Sequence, residues 1–351
     1  MEKMKEYVGK KELRALEIGA LGQGMVYAIM SSYISDFYLN VLGVSAVFVL
    51  LLMLLARIWD AINDPLMGMI ADRLNPKRGK MKTYLIITPI PIAVLTLSLF
   101  YAPDIPMSSK MAYAAVTYVL WGMAYTMSDV PFWSLPILMT SNPAERGKVF
   151  SLARTTNGIG SALPIVIFMT LGFLLPKTGL SGLQLEKTRY IIIALFAAIV
   201  GNILFANTYF HVTERVNIPR KKPEKGEAGS LKLLFTNKPL MLVLVMGILS
   251  CGRYMYQVGA IHVARYSFYI GPSLAGLTNK EQDEIIQSSI SKVNLVFAVA
   301  TAVGMFGTML LIPRLIKKFN YKQIVIVSCI IGFTASMAIY FIGYKNFWVC
   351  V

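Results

Sequence analysis

The chain has 351 residues, 56% hydrophobic and 15% charged, with 34 Lys and Arg against 18 Asp and Glu for a formal net charge of +16. Soluble domains carry about 25% charged residues, so a single globular core is excluded as the destination of this much apolar surface, whereas a bilayer can solvate it. The basic residues sit in short stretches between long apolar runs, which reads as membrane-loop bias and excludes nucleic acid as a partner.

A helix needs about 20 residues to cross the hydrocarbon layer. On that measure the predicted helices are Ala15–Leu39, Ser45–Ala71, Thr83–Tyr101, Lys110–Leu138, Ser151–Leu175, Tyr190–Phe210, Pro239–Ile270, Ser291–Leu311 and Ile324–Gly343. A tenth run starts at Phe347, and the chain is expected to be cut short there. The basic first segment leads into an apolar run too long for a signal peptide and without an A-x-A-like cleavage site. It is read as the first membrane helix.

Lys and Arg set the orientation. The amino-terminal segment and the 2–3, 4–5, 6–7 and 8–9 connections are basic, and the 1–2 and 3–4 connections are nearly uncharged. The 5–6 connection, with Lys177, Lys187 and Arg189, is a partial exception. The balance places the amino terminus in the cytoplasm. The Pro-, Lys- and Gly-rich stretch 211–238 reads as a cytoplasmic linker between an amino-terminal bundle, 1–210, and an incomplete carboxy-terminal bundle, 239–351. A faint repeat, in which Gly68 and Gly307 each approach a helix end that leads into a basic loop, agrees with two related halves. Cys251, Cys329 and Cys350 lie in apolar runs at no ligand-like spacing and are read as small core residues.

Chemistry concentrates in two helices. Asp60, Asn63 and Asp64 follow Arg57 in the second, at i, i+3 and i+4, and so share a face. Acids inside a membrane span cost about 2.5–3.5 kcal/mol each on insertion scales. Pro65 lacks an N–H and frees the carbonyl of Ala61. Two carboxylates, an amide oxygen and a free carbonyl suit a hard cation, with Asp60 and Asp64 as the charged ligands of Na+ or as a proton site. The competing reading is a buried ion pair of Arg57 with either acid.

The fourth helix carries Trp121, Tyr125, Thr126, Asp129 and Trp133. Thr126, Asp129 and Trp133 share a face, where a carboxylate accepts sugar hydroxyls and an indole offers a flat wall; packing aromatics are the alternative. Arg154, at the start of the fifth helix, pairs with Asp129, holds a sugar hydroxyl or snorkels to the surface. Asp72 and Arg73 end the second helix before a basic turn, with a gating or structural role expected. In the seventh helix, Arg253 is expected to face a cavity or an acid, and Arg265 to reach outward.

Three strings, ARIWDAINDPLMG (56–68), VLWGMAYTMSDVPFWSLP (119–136) and NPAERGKVFSLAR (142–154), resemble the glycoside–pentoside–hexuronide:cation symporters, melibiose-carrier-like members of the major facilitator superfamily. The resemblance covers the first half of the chain well. It implies an all-α membrane protein with two helical bundles, of whose twelve helices about nine to ten are present. It implies cation ligands at Asp60, Asn63, Asp64 and Thr126, and sugar-binding residues at Asp129, Trp133 and Arg154, with Trp121 and Tyr125 nearby. Where the melibiose carrier has a Lys-Asp pair in helix one, this chain has Gln23-Gly24, so the sugar pocket is altered and Gln23 supplies a neutral contact.

The expected function is sugar:cation symport by alternating access in the cytoplasmic membrane. The expected partners are a small sugar or glycoside, a coupling Na+ (or H+ or Li+) and membrane lipid, with no cofactor, in a monomer. Carriage of a lipid headgroup or peptide on the same fold is the alternative, as is a shortened chain that does not transport. No zincin motif, P-loop or Ser/His/Asp arrangement is present, so no enzyme is expected.

Overall fold

The computed structural model describes residues 7–73, 79–216, 237–239, 241–242, 245 and 253–343. Most of the expected linker (217–236), residues 240, 243–244 and 246–252 of the predicted seventh helix, with Cys251 among them, Cys350 and the run from Phe347 lie outside the described residues. The described elements are α-helices: α1 (Lys10–Phe37), α2 (Ala46–Arg73), α3 (Tyr84–Ile87), α4 (Pro89–Leu99), α5 (Met107–Met139), α6 (Pro143–Leu174), α7 (Gly182–Phe196), α8 (Asn202–His211), α9 (Arg253–Tyr266), α10 (Asn279–Lys318) and α11 (Tyr321–Ala338). Short π-helical turns follow α1, α7 and α11.

The predicted third helix is two pieces that break at Thr88, because Pro89 and Pro91 cannot supply the N–H groups that would carry the ladder through. Thr88 keeps the two pieces in line: its N–H and hydroxyl both bond the Tyr84 carbonyl, at 3.0 and 2.8 Å, and its own carbonyl accepts the Ile92 N–H at 3.0 Å. The predicted eighth helix starts about three turns early, at α10, where Thr278 and Glu281 form a capping box. Among the described residues, five helical stretches are long and apolar enough to cross a membrane: Ala46–Ile70, Glu145–Thr178, Gly182–His211, Glu281–Gly304 and Lys322–Gly343. The helices α1 and α5 have the length but carry more polar residues, among them Gln23, Thr126 and Asp129 of the site below. In α11 none of the spanning stretch is buried. Cys329 is therefore exposed, a correction to its reading as a core residue.

Contacts divide the chain into two compact units, Met1–Pro164 with Tyr190–Gly259, and Ile165–Arg189 with Ala260–Val351. In the first, α1 packs on α6 and α8 with almost no side chain between the backbones. A Cβ on Gly24 would lie 2.2 Å from the Asn157 carbonyl oxygen, one on Gly160 would lie 2.0 Å from that of Leu21, and one on Gly22 would lie 2.3 Å from that of Gly201. Only glycine permits such approach, the usual means by which membrane helices gain dispersion contact. Leu16, Phe132, Leu135, Met139 and Ala153 fill the core beside this seam.

Where α1 begins, carboxylates gather chain ends. Glu145 accepts the N–H of Tyr7 at 2.9 Å and of Val8 at 2.8 Å. Glu214 accepts those of Lys80, Met81 and Lys82 at 2.7–2.8 Å. The turn after α2 is thus held by Glu214, an acid that spacing in the sequence does not connect to it. Glu12 takes two 2.8 Å bonds from Arg215. Burial pushes the Glu12 carboxyl up, but the bonds from Arg215 and the Gly9 N–H outweigh it and hold it below the ordinary 4.5. A carboxyl lowered on folding stabilises fully above that ordinary value and progressively less as pH falls through its folded one. The melting-temperature gap between the protein and Arg215→Ala is therefore expected to be flat above about pH 5.5 and to narrow below about pH 4.5, as a melting series in detergent measures.

In the second unit Arg189 is fully buried. Its guanidinium donates to the Phe168 carbonyl at 2.6 and 2.9 Å, to Gln287 Oε1 at 2.8 Å and to Ser291 Oγ at 3.2 Å. Arg189 is thus a buried helix residue, one of the three basic residues that made the 5–6 connection an exception. Arg265 does not snorkel: its Nη2 lies 2.9 Å from Glu186 Oε1, which also accepts Gln287 Nε2 at 2.7 Å. Both side chains of the Arg265–Glu186 pair are largely buried, at 13% and 7% exposure. Removing one partner of a buried pair costs about 3–5 kcal/mol. Glu186→Leu is accordingly expected to lower thermal stability in detergent by that order, with Glu186→Gln intermediate because it keeps an acceptor.

Candidate binding site

The helix α2 presents Asp60 half-buried, Asn63 buried at 3% exposure and Asp64 open. The Thr126 hydroxyl, from α5, donates to Asp64 Oδ1 at 2.9 Å. Asp60 lies over Gly122, where a Cβ would be 3.6 Å from its Oδ1. Arg57 reaches Asp60 at 3.3 Å, with 60% of its own side chain exposed. The ion pair expected as the competing reading therefore exists, but it is largely open, and exposed pairs contribute about 0–1 kcal/mol. It also engages one acid of two. The four expected cation ligands stand on two adjacent helices, with Asp64 and Thr126 in direct contact. The Asn63 Nδ2 group is one of five buried side-chain polar atoms without a hydrogen-bond partner among the described residues.

One turn along α5, Asp129 Oδ1 accepts two donors, Gln23 Nε2 from α1 at 2.6 Å and Trp133 Nε1 at 3.1 Å. The Tyr125 hydroxyl bonds the same carboxylate. Arg154, from α6, lies over the Trp133 ring, its Cζ 3.8 Å from the centroid. Among the described residues it makes no ion pair with Asp129, and the cation–π contact is what fixes it. Trp121 stacks on Tyr125 at 4.9 Å and donates its indole N–H to Thr96 Oγ1 at 2.9 Å, which ties α5 to α4. At 2% exposure, its polar end is spent on packing, while one edge lines the cavity.

A cavity of about 180 Å³ has Arg57, Asp60, Asp64, Tyr125, Thr126 and Asp129 among its lining residues. The acid pair and Asp129, singled out separately in the sequence, thus open onto one space. Tyr27, also in its wall, sits 5.4 Å from the Tyr125 ring, and Asn157 bonds Gln23. Neither is marked in the sequence, because their partners are on other helices. Asp72 and Arg73 fall in the last turn of α2, and their side chains, like that of Arg253, lie outside the described residues. Among the described residues no group of three or more His, Cys, Asp or Glu clusters as a metal site; the cation ligands proposed are two acids with neutral oxygens.

The family described as MFS/sugar transport protein matches residues 16–269. An uncharacterized symporter, YjmB, of Bacillus subtilis (strain 168) is 28% identical over 93% of this chain and 65% of its own length. The isoprimeverose transporter of Lactiplantibacillus pentosus is 28% identical over 64% of this chain and 46% of its own. A glucuronide carrier protein homolog of Escherichia coli (strain K12) is 22% identical over 94% and 66%. The chain spans roughly half to two thirds of the length of these relatives.

The Trp133 N–H bond to a carboxylate is charge-assisted, a class that contributes about 1.5–3 kcal/mol. Trp133→Phe keeps a ring under Arg154 but loses that donor. It is expected to lower thermal stability in detergent by about that order, as melting curves of the two proteins measure.

Proposed function

This chain belongs to the MFS/sugar transport protein family, and on that premise we propose that it forms the larger part of a sugar:cation symporter working by alternating access. The observation that carries the reading is the shared cavity, whose wall includes Asp60 and Asp64 on one side and Asp129 on the other. The cation ligands are Asp60, Asn63, Asp64 and Thr126. The sugar meets Asp129, Trp133, Arg154 and Gln23, with Tyr125 and Trp121 as the apolar wall. The helix α5 holds a member of each set one turn apart, Thr126 and Asp129. A cation that draws Thr126 and Asp64 together stiffens the turn from which Asp129 reaches the sugar. A ligand shifts the equilibrium between two states only by its differential affinity for them, and this shared turn is where that difference arises.

In this reading residues 1–210 are the amino-terminal bundle, 211–238 the cytoplasmic linker and 239–351 part of the second bundle, in a monomer in the cytoplasmic membrane with the amino terminus inside. The coupling ion is Na+, with H+ and Li+ as the alternatives that the assay compares. Asp72 and Arg73 end α2 at the cytoplasmic gate. The printed names of the relatives, an isoprimeverose transporter and a glucuronide carrier protein homolog, support a glycoside or pentoside as cargo.

Asp60→Cys and Asp64→Cys are each expected to reduce cation-driven accumulation to background, a loss of about 100-fold or more if each acid supplies ~3 kcal/mol. The measurement is uptake of a labelled sugar panel by the intact protein, with and without Na+, at several pH values. Accumulation that stays cation-stimulated in both variants overturns the assignment.

A further inference from the structure

Asn157 sits on α6 beside the sugar site, in neither proposed ligand set. Its Nδ2 donates to the Ala20 carbonyl at 3.0 Å and to Gln23 Oε1 at 3.3 Å. A backbone carbonyl only accepts, so the contact with Ala20 fixes which end of the Asn157 amide is its nitrogen. That nitrogen in turn requires the oxygen of Gln23 to face it. Gln23 therefore presents its NH2 group to Asp129, at 2.6 Å. One backbone carbonyl thus orients two side-chain amides in series, and the second of them meets the carboxylate. Gln23 is 2% exposed, so bulk water does not compete for its ends.

The backbones place Asn157 where it can do this. Gly24 lets α1 approach to within 2.2 Å of Asn157 oxygen, counted from a Cβ that is not there. Ser161, one turn on, follows the same seam and donates to the Gly24 carbonyl at 3.3 Å.

We infer that Asn157 is a positioning residue for sugar recognition: by donating its Nδ2 to both the Ala20 carbonyl and Gln23 Oε1, it locks Gln23 with its N–H end on Asp129 and so sets which end of the helix-one amide meets that carboxylate. The inference rests on the symport reading above. With Asn157 intact, Gln23 gives a proton to Asp129, the carboxylate that lines the cavity. With the lock reversed, the Gln23 oxygen would face the Asp129 carboxylate, two acceptors would meet without a proton between them, and the site would have to open before a sugar enters.

Asn157→Asp tests this, being nearly the same shape with acceptors at both ends. In the intact protein, using whichever panel sugar the unsubstituted protein accumulates, KM for that sugar is expected to rise about tenfold or more. The maximal rate and the cation concentration for half-stimulation are expected to stay within about twofold, because no cation ligand touches Asn157. In a Gln23→Ala background the same substitution is expected to change KM less than about twofold, since a residue that acts through Gln23 has nothing left to orient. Asn157→Ala, which frees the Gln23 amide without adding charge, covers the case in which the aspartate variant does not fold; it is expected to raise KM by a smaller factor that also vanishes in the Gln23→Ala background. An unchanged KM in the folded variants, or a loss that persists in full without Gln23, overturns the inference and leaves the symport reading standing. A protein that accumulates no sugar in response to any cation overturns both.

Discussion

The contact of α1 with α6 and α8 through bare backbone is the constraint on which the rest of the first unit depends. Glycines at 22, 24 and 160 bring carbonyls and Cα atoms to distances that a single methyl group would forbid. In a bilayer there is no water to squeeze from between helices, so close backbone approach takes over the role of hydrophobic burial. The same closeness delivers Gln23 to Asp129 and Asn157 to Gln23. Packing and recognition are therefore the same seam viewed from two sides.

The helix α5 is the second organising element. It carries Thr126 toward Asp64 and Asp129 toward Gln23 and Trp133. It is also anchored to α4 by neutral bonds, the Trp121 indole on Thr96 at 2.9 Å and the Tyr113 hydroxyl on the Ser98 carbonyl at 2.6 Å. In the proposed symport, coupling between the two contacts needs to cross only the single turn of α5 that separates Thr126 from Asp129. Arg154 adds a cation to that face without neutralising its acid, since it lies on the Trp133 ring. Asp129 remains an acceptor surrounded by donors.

Much of this was legible in the sequence because membrane spans write their exceptions plainly. Acids and amides stand out against Leu and Ile, and the i, i+3, i+4 spacing of Asp60, Asn63 and Asp64 put them on one face before any coordinates. Helix existence followed from length alone. What stayed illegible depends on partners far along the chain. Nothing local marks Glu214 as the acceptor for the turn at Lys80, or Asn157 as a neighbour of Gln23. Arg189 and Arg265 looked like surface charge because their acids and amides, Glu186 and Gln287, come from other helices. The break at Thr88 had a local cause in two prolines, but the length of the apolar run masked it.

The missing Cβ at position 24 also bears on how such a pocket can diversify. Restoring an acid there is a short step in the genetic code, yet its first side-chain atom would fall inside the radius of an oxygen belonging to the α6 backbone. No side-chain trimming on α6 relieves that overlap; the two helices would have to part along their length and forfeit the neighbouring glycine contacts as well. New ligand ranges are therefore more accessible through residues that line the seam than through the position at its centre, which geometry holds to glycine before any question of cargo arises.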